Sequence, residues 1–187
     1  MAASAEPIYQ LKITLVGIRP PVWRRVQTEA GITLGKLHGV IQAAMGWTDS
    51  HMHGFDVRGV SYGQPIPDLD SDLEMKSETR MKLRQAAPKE RSRFRYEYDF
   101  GDSWQHDILL EKIVPAEPGV RYPVCVGGRR ACPPEDCGGV WGYADLLGKL
   151  ADPESEERED LLEWLGGEID PEHFDLEEVN RSLAHLR

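Results

Sequence analysis

Residues 8–18, IYQLKITLVGI, set Tyr9, Leu11, Ile13 and Leu15 alternately against Gln10, Lys12 and Thr14, and this period of two predicts a half-buried strand. Arg19-Pro20-Pro21 ends it, because proline gives no ladder hydrogen bond and holds the preceding residue extended. Val22–Val26 reads as a second strand. From Thr33 the period becomes helical: Leu34, Leu37, Ile41, Ala44 and Met45 share a face, with Thr33 as N-cap and Gly46 as stop. Residues 55–62 read as a third strand. The start is therefore β-β-α-β, as in ubiquitin-like folds. Residues 63–91 are polar and proline-containing, and they predict a long loop with a short strand near Met81–Leu83.

The strongest hairpin signal follows. Phe94, Tyr96, Tyr98 and Phe100 alternate with Arg95, Glu97 and Asp99, then Gly101-Asp102-Ser103 precedes WQHDILLEKI. A three-residue loop, pairing Phe100 with Trp104 and Tyr98 with His106, keeps one face apolar. Helical spacing returns at 143–150, 156–165 and 176–186, with Pro153 and Pro171 near the starts of the last two. The prediction is an α+β fold with a mixed or antiparallel sheet. It is a single domain over 1–187, with a core at 8–140 and an acidic helical part at 141–187 packed on it.

Composition narrows the class. A chain of 187 residues with 40% hydrophobic and 29% charged residues can build one core. No apolar run reaches the length of a membrane span, so no membrane partner is expected. Three cysteines cannot all pair, which points to a reducing, cytoplasmic setting. Net charge is −10, and residues 151–180 hold thirteen acids against Arg158 alone. Such a segment repels phosphate backbones. Lys76–Arg95, with eight bases and two acids, is the one basic stretch, and it reads as a solvated connector.

Two constellations can carry chemistry. Cys125, Cys132 and Cys137 form C-x6-C-x4-C; thiolates hold zinc, but the tight C-x2-C knuckle is missing. Asp49-Ser50-His51-Met52-His53 places two histidines at alternate positions, which on an extended segment face one way. With Asp102 and His106 they would form a cluster fit for a divalent cation or for acid–base work. Asp99-Phe100-Gly101 spells a kinase triplet without its companion motifs, and the glycines of 138–142 lack the spacing of a phosphate loop.

Five ordered blocks then point to a family: IRPPVWRR (18–25), LH (37–38) with IQAAMGW (41–47), DSHMHGF (49–55), YDFGDSWQH (98–106) and CPPEDCGG (132–139). Together they resemble the plasmid pRiA4b ORF-3-like family over about residues 8–183. The resemblance implies an α+β fold and an association with plasmids and transposons, and it assigns no activity. Three readings follow. The first is a small binding or accessory domain of mobile-element type, with a groove lined by Trp47, His51, His53, Asp102, Trp104 and His106 that receives a protein, a peptide or a nucleic-acid end. The second is a metal-dependent, hydrolase-like enzyme using the His/Asp cluster. The third is a structural zinc module held by the three cysteines.

Overall fold

The computed structural model describes residues 6–64 and 75–187. Eight strands form one mixed sheet. They are β1 (Ile8–Leu15), β2 (Trp23–Glu29), β3 (His53–Val57), β4 (Val60–Gly63), β5 (Lys76–Ser77), β6 (Arg93–Tyr98), β7 (Trp104–Val114) and β8 (Val124–Arg129). Five helices accompany them: α1 (Leu34–Met45), α2 (Leu83–Ala86), α3 (Gly139–Ala151), α4 (Arg158–Leu165) and α5 (Leu176–Ala184). The strand order is β5-β4-β3-β6-β7-β1-β2-β8, antiparallel throughout except for the β4–β5 pair. Among the described residues no helix is long and apolar enough to cross a membrane.

The β-β-α-β start is present, with β3 separated from β1 by β6 and β7. Thr33 caps α1 by accepting from the Lys36 amide, and Gly46 ends it in the left-handed conformation at φ 91°. One face of α1 is buried along Leu34, Leu37, Ile41 and Met45, and His38 and Gln42 lie in the same buried stripe. Opposite it, Tyr96, Tyr98, Trp104 and Phe55 supply the largest fully buried side chains. Tyr143, Leu146 and Leu183 of the acidic C-terminal part join this same core.

Three sequence expectations need correction. Residues 55–62 are two strands, not one, because Arg58 and Gly59 both take positive φ (56° and 76°) and turn the chain tightly. The β6–β7 hairpin pairs Tyr98 with Trp104 and Tyr96 with His106, leaving residues 99–103 as a five-residue loop and Phe100 outside the ladder. Asp99 drives this change: its backbone sits at φ 55°, its carboxylate accepts from the Gly101 amide, and its carbonyl accepts from the Ser103 amide. The slip is two residues, so the side-chain faces keep their assignment. Finally, the short strand expected near Met81–Leu83 is only an isolated bridge from Lys82 to Thr33, followed at once by α2. At the far end of the sheet, Cys125 lies in the edge strand β8. Asn180 of α5 both donates to its carbonyl (2.9 Å) and accepts from its amide (2.8 Å), closing the free edge as another strand would.

Candidate functional site

The loop joining α1 to β3 holds the chemistry. Trp47 anchors it by donating its indole N–H to the Pro133 carbonyl (3.0 Å). The Asp49 amide donates to the Gln42 side chain (3.0 Å), and the Ser50 amide donates to the Tyr98 hydroxyl (3.0 Å). Tyr98 donates in turn to Glu135, whose carboxylate also accepts from the Thr48 hydroxyl. Burial and this carboxylate raise the Tyr98 phenol well above its ordinary range, so it stays a donor.

Two clusters flank this loop. In the first, His38 of α1 and His53 of β3 stack face to face, with ring centroids 3.4 Å apart and planes 4° from parallel. His38 Nε2 lies 2.7 Å from Asp49 Oδ1, and His53 Nε2 lies 2.8 Å from Glu78 Oε2. The remaining ring nitrogen of His38 meets the Tyr96 hydroxyl at 2.8 Å, and Gln42 donates to that same hydroxyl (2.9 Å). Burial, then the neighbouring His53, lowers the His38 pKa, with Asp49 pulling the other way. The imidazole is therefore biased to its neutral, metal-competent form. Glu78 reaches the stack across the first turn of α1, where a Cβ on Gly35 would stand 3.0 Å from its Oε1.

In the second cluster, His51 Nε2 lies 3.1 Å from Asp136 Oδ1, too far off line for a hydrogen bond, and His51 Nδ1 lies 3.8 Å from Asp99 Oδ2. Asp49, Asp99 and Asp136 all hold positive φ (58°, 55° and 60°), a conformation costly for most residues and easiest for Asp and Asn. Among the described residues, the groups of His, Cys, Asp or Glu with ligand atoms all within 4.8 Å of one another are His38–Asp49–His53 and His51–Asp99–Asp136. Neither contains a cysteine.

The six expected groove residues thus divide. His51 and His53 enter different clusters, because β3 begins only at His53 and His51 sits at a bend ahead of it, outside the extended geometry the H-x-H spacing assumes. Asp102 accepts from the Gly138 amide (3.1 Å) and docks the hairpin loop on the start of α3; a Cβ on Gly139 would lie 2.4 Å from its carbonyl oxygen. Trp104 and His106 are fully buried, with Trp47 packed 6.0 and 5.3 Å from their rings. Among the described residues, neither ring nitrogen of His106 has an aligned hydrogen bond. Its burial pushes its pKa down to about 4, offset only in part by the backbone of Trp104 and Tyr96.

The three cysteines are free thiols. Burial raises the pKa of each, that of Cys137 up to about 12 with Asp102 adding to the effect, so all three stay protonated. A cleft of about 550 Å³ lies along β3 and β6 between Phe55, Asp56, Arg95 and Phe100, and no member of either cluster lines it. Sequence reasoning passed over His38, Asp49, Glu78, Asp99 and Asp136. The available signal was His38 and Gln42, a polar i, i+4 pair inside the apolar stripe of α1.

A profile of the plasmid pRiA4b ORF-3-like protein family matches residues 7–178. The chain is 38% identical over 181 residues to the uncharacterized protein y4hQ of Sinorhizobium fredii, covering 96% of this chain and 92% of the relative. The crystal structure of MM3350, a protein of unknown function from Methanosarcina mazei Go1, superposes with a TM-score of 0.82. It is 42% identical, with 93% of this chain and 98% of that one covered.

Proposed function

For a chain that belongs to the plasmid pRiA4b ORF-3-like protein family, we propose a divalent-metal-binding domain whose ion is held by His38 Nε2, His53 and Asp49. The observation that carries this reading is the grouping of His38, Asp49 and His53, whose ligand atoms lie within 4.8 Å of one another. A divalent ion would take one lone pair from each imidazole and an oxygen of Asp49, and because parallel rings cannot both aim in-plane lone pairs at one ion, one ring tilts out of the stack on binding. Bonds of about 2.0–2.2 Å to nitrogen and oxygen are within reach of donor atoms already inside 4.8 Å. With the ion on His38 Nε2, the ring proton sits on Nδ1 and is donated to Tyr96, the outer-shell partner that metal-bound histidines ordinarily have.

Two imidazoles and one carboxylate suit a first-row transition metal. Three protein ligands also leave coordination sites for a water or a substrate atom, as catalytic centres do and closed structural sites do not. Entry is from the Asp49 side: its side chain is 58% exposed, against 6% for His38. Glu78, paired with His53 Nε2 and buried, orients that ring and leaves its other nitrogen for the ion. This reading favours an accessory domain that presents a metal ion, and hydrolysis by a metal-bound water is the chemistry such a centre would add.

The test is Co2+ binding followed by visible absorption, with Zn2+ competition. Wild-type protein is expected to take one tight equivalent that Zn2+ displaces, and Asp49→Asn, an exposed and fold-tolerant change, to weaken it at least tenfold. Equal Co2+ affinity in wild type, Asp49→Asn and His53→Ala would overturn the assignment.

A further inference from the structure

We propose that His51, Asp99 and Asp136 form a second, independent divalent-cation site of harder character, binding an ion such as Mn2+ between three loops. The geometry is already close: the ligand atoms lie within 4.8 Å of one another, so contraction by less than about 1 Å brings them to the bond lengths of a central ion. Each side chain comes from a different segment. His51 lies in the α1–β3 loop, Asp99 in the β6–β7 loop and Asp136 in the loop between β8 and α3.

Charge is the second argument. Two carboxylates face one imidazole, and among the described residues His51 is the only ion-pair partner of either. The Asp99 side chain is only 13% exposed, and its Oδ1 is taken by the Gly101 amide, which leaves Oδ2 directed at His51 without a hydrogen-bond donor. Glu135 adds a third carboxylate beside Tyr98 and Thr48. Carboxylates gathered around one imidazole make a favourable setting for a cation. His51 Nε2 is closed to solvent and lacks an aligned partner, so its lone pair is available to that ion. One nitrogen and two carboxylate oxygens shift preference from zinc-like toward manganese- and magnesium-like ions, in contrast to the two-imidazole set of the first cluster. Asp136, the most exposed of the three at 69%, provides the route for exchange.

The site does not depend on the first cluster, and one experiment separates them. Full-length protein is dialysed to equilibrium against Mn2+, and bound metal is counted by elemental analysis in wild type, Asp136→Asn, Asp49→Asn and the double variant. Both Asp136 and Asp49 are exposed, so the variants keep the fold, which circular dichroism verifies. The expected counts are two, one, one and none. One equivalent in wild type that Asp136→Asn loses and Asp49→Asn retains would uphold this site and remove the first. One equivalent in wild type and in Asp136→Asn alike would show that no ion depends on Asp136, which overturns the proposal. So would two equivalents in both, or none in either.

Discussion

His106 and His38 are both buried histidines beside Tyr96, and their surroundings make opposite things of them. His106 is walled by Trp47, Trp104 and Tyr96 with no carboxylate at either nitrogen, so it is a neutral aromatic spacer on β7. His38 has Asp49 on one nitrogen, Tyr96 on the other, and a second imidazole stacked on its face. Burial alone silences an imidazole; burial beside acceptors that hold its tautomer prepares it as a ligand. The aromatic region should therefore govern stability, and the stacked region should govern cation binding.

The largest effect expected is on the aromatic side. Trp104 is fully buried, and Trp104→Ala should cost about 3–5 kcal/mol, read by chemical denaturation. Cation affinity of the molecules still folded should be unchanged. An unchanged denaturation midpoint with lost cation binding would collapse the distinction between the two regions.

Acid should expose His106 next. Its folded pKa of about 4 lies below the ordinary 6.5, so the unfolded chain binds the proton more readily. Stability is then full above pH 6.5 and falls as pH drops toward 4. The loss is about 3 kcal/mol at 1.36 kcal/mol per pH unit. His38, also lowered, adds a contribution of the same sign. Urea midpoints across this range should flatten in His106→Leu, leaving the smaller His38 slope. An equally steep profile in that variant would assign the acid sensitivity elsewhere.

On the ligand side, Glu78 is buried against His53 and acts by orienting it. Glu78→Gln should weaken Co2+ binding roughly 10–100-fold, about 1.4–2.8 kcal/mol. The smallest effect belongs to Asp102. Asp102→Ala removes one acceptor for the Gly138 amide and should cost about 0.5–1.5 kcal/mol in thermal denaturation, with cation binding intact. Loss of a cation equivalent in that variant would restore Asp102 to the site.

Local rules made much of the fold readable: Thr33 and Gly46 bound α1 where capping chemistry places them, and alternation sorted Tyr96, Tyr98, Trp104 and His106 onto the buried face. What escaped depends on backbone states that the pattern of apolar residues does not encode. Positive φ at Asp99 lengthened the hairpin loop, and the bend at His51, ahead of β3, sent His51 and His53 to different partners. The stacked cluster joins α1, the following loop, β3 and Glu78, which arrives from 25 residues beyond His53. Period and spacing report on one segment at a time, so a site assembled from four of them leaves only a trace, the buried His38–Gln42 pair.

Anomalous diffraction from crystals equilibrated with Zn2+, recorded on both sides of the zinc edge, tests the central claim most directly. The expected result is a zinc peak bonded at about 2.0–2.2 Å to His38 Nε2, a ring nitrogen of His53 and an Asp49 oxygen, with the His38 Nδ1–Tyr96 hydrogen bond retained. A fully soaked crystal with no peak there, and with the two imidazoles still stacked and paired to Asp49 and Glu78, would contradict it.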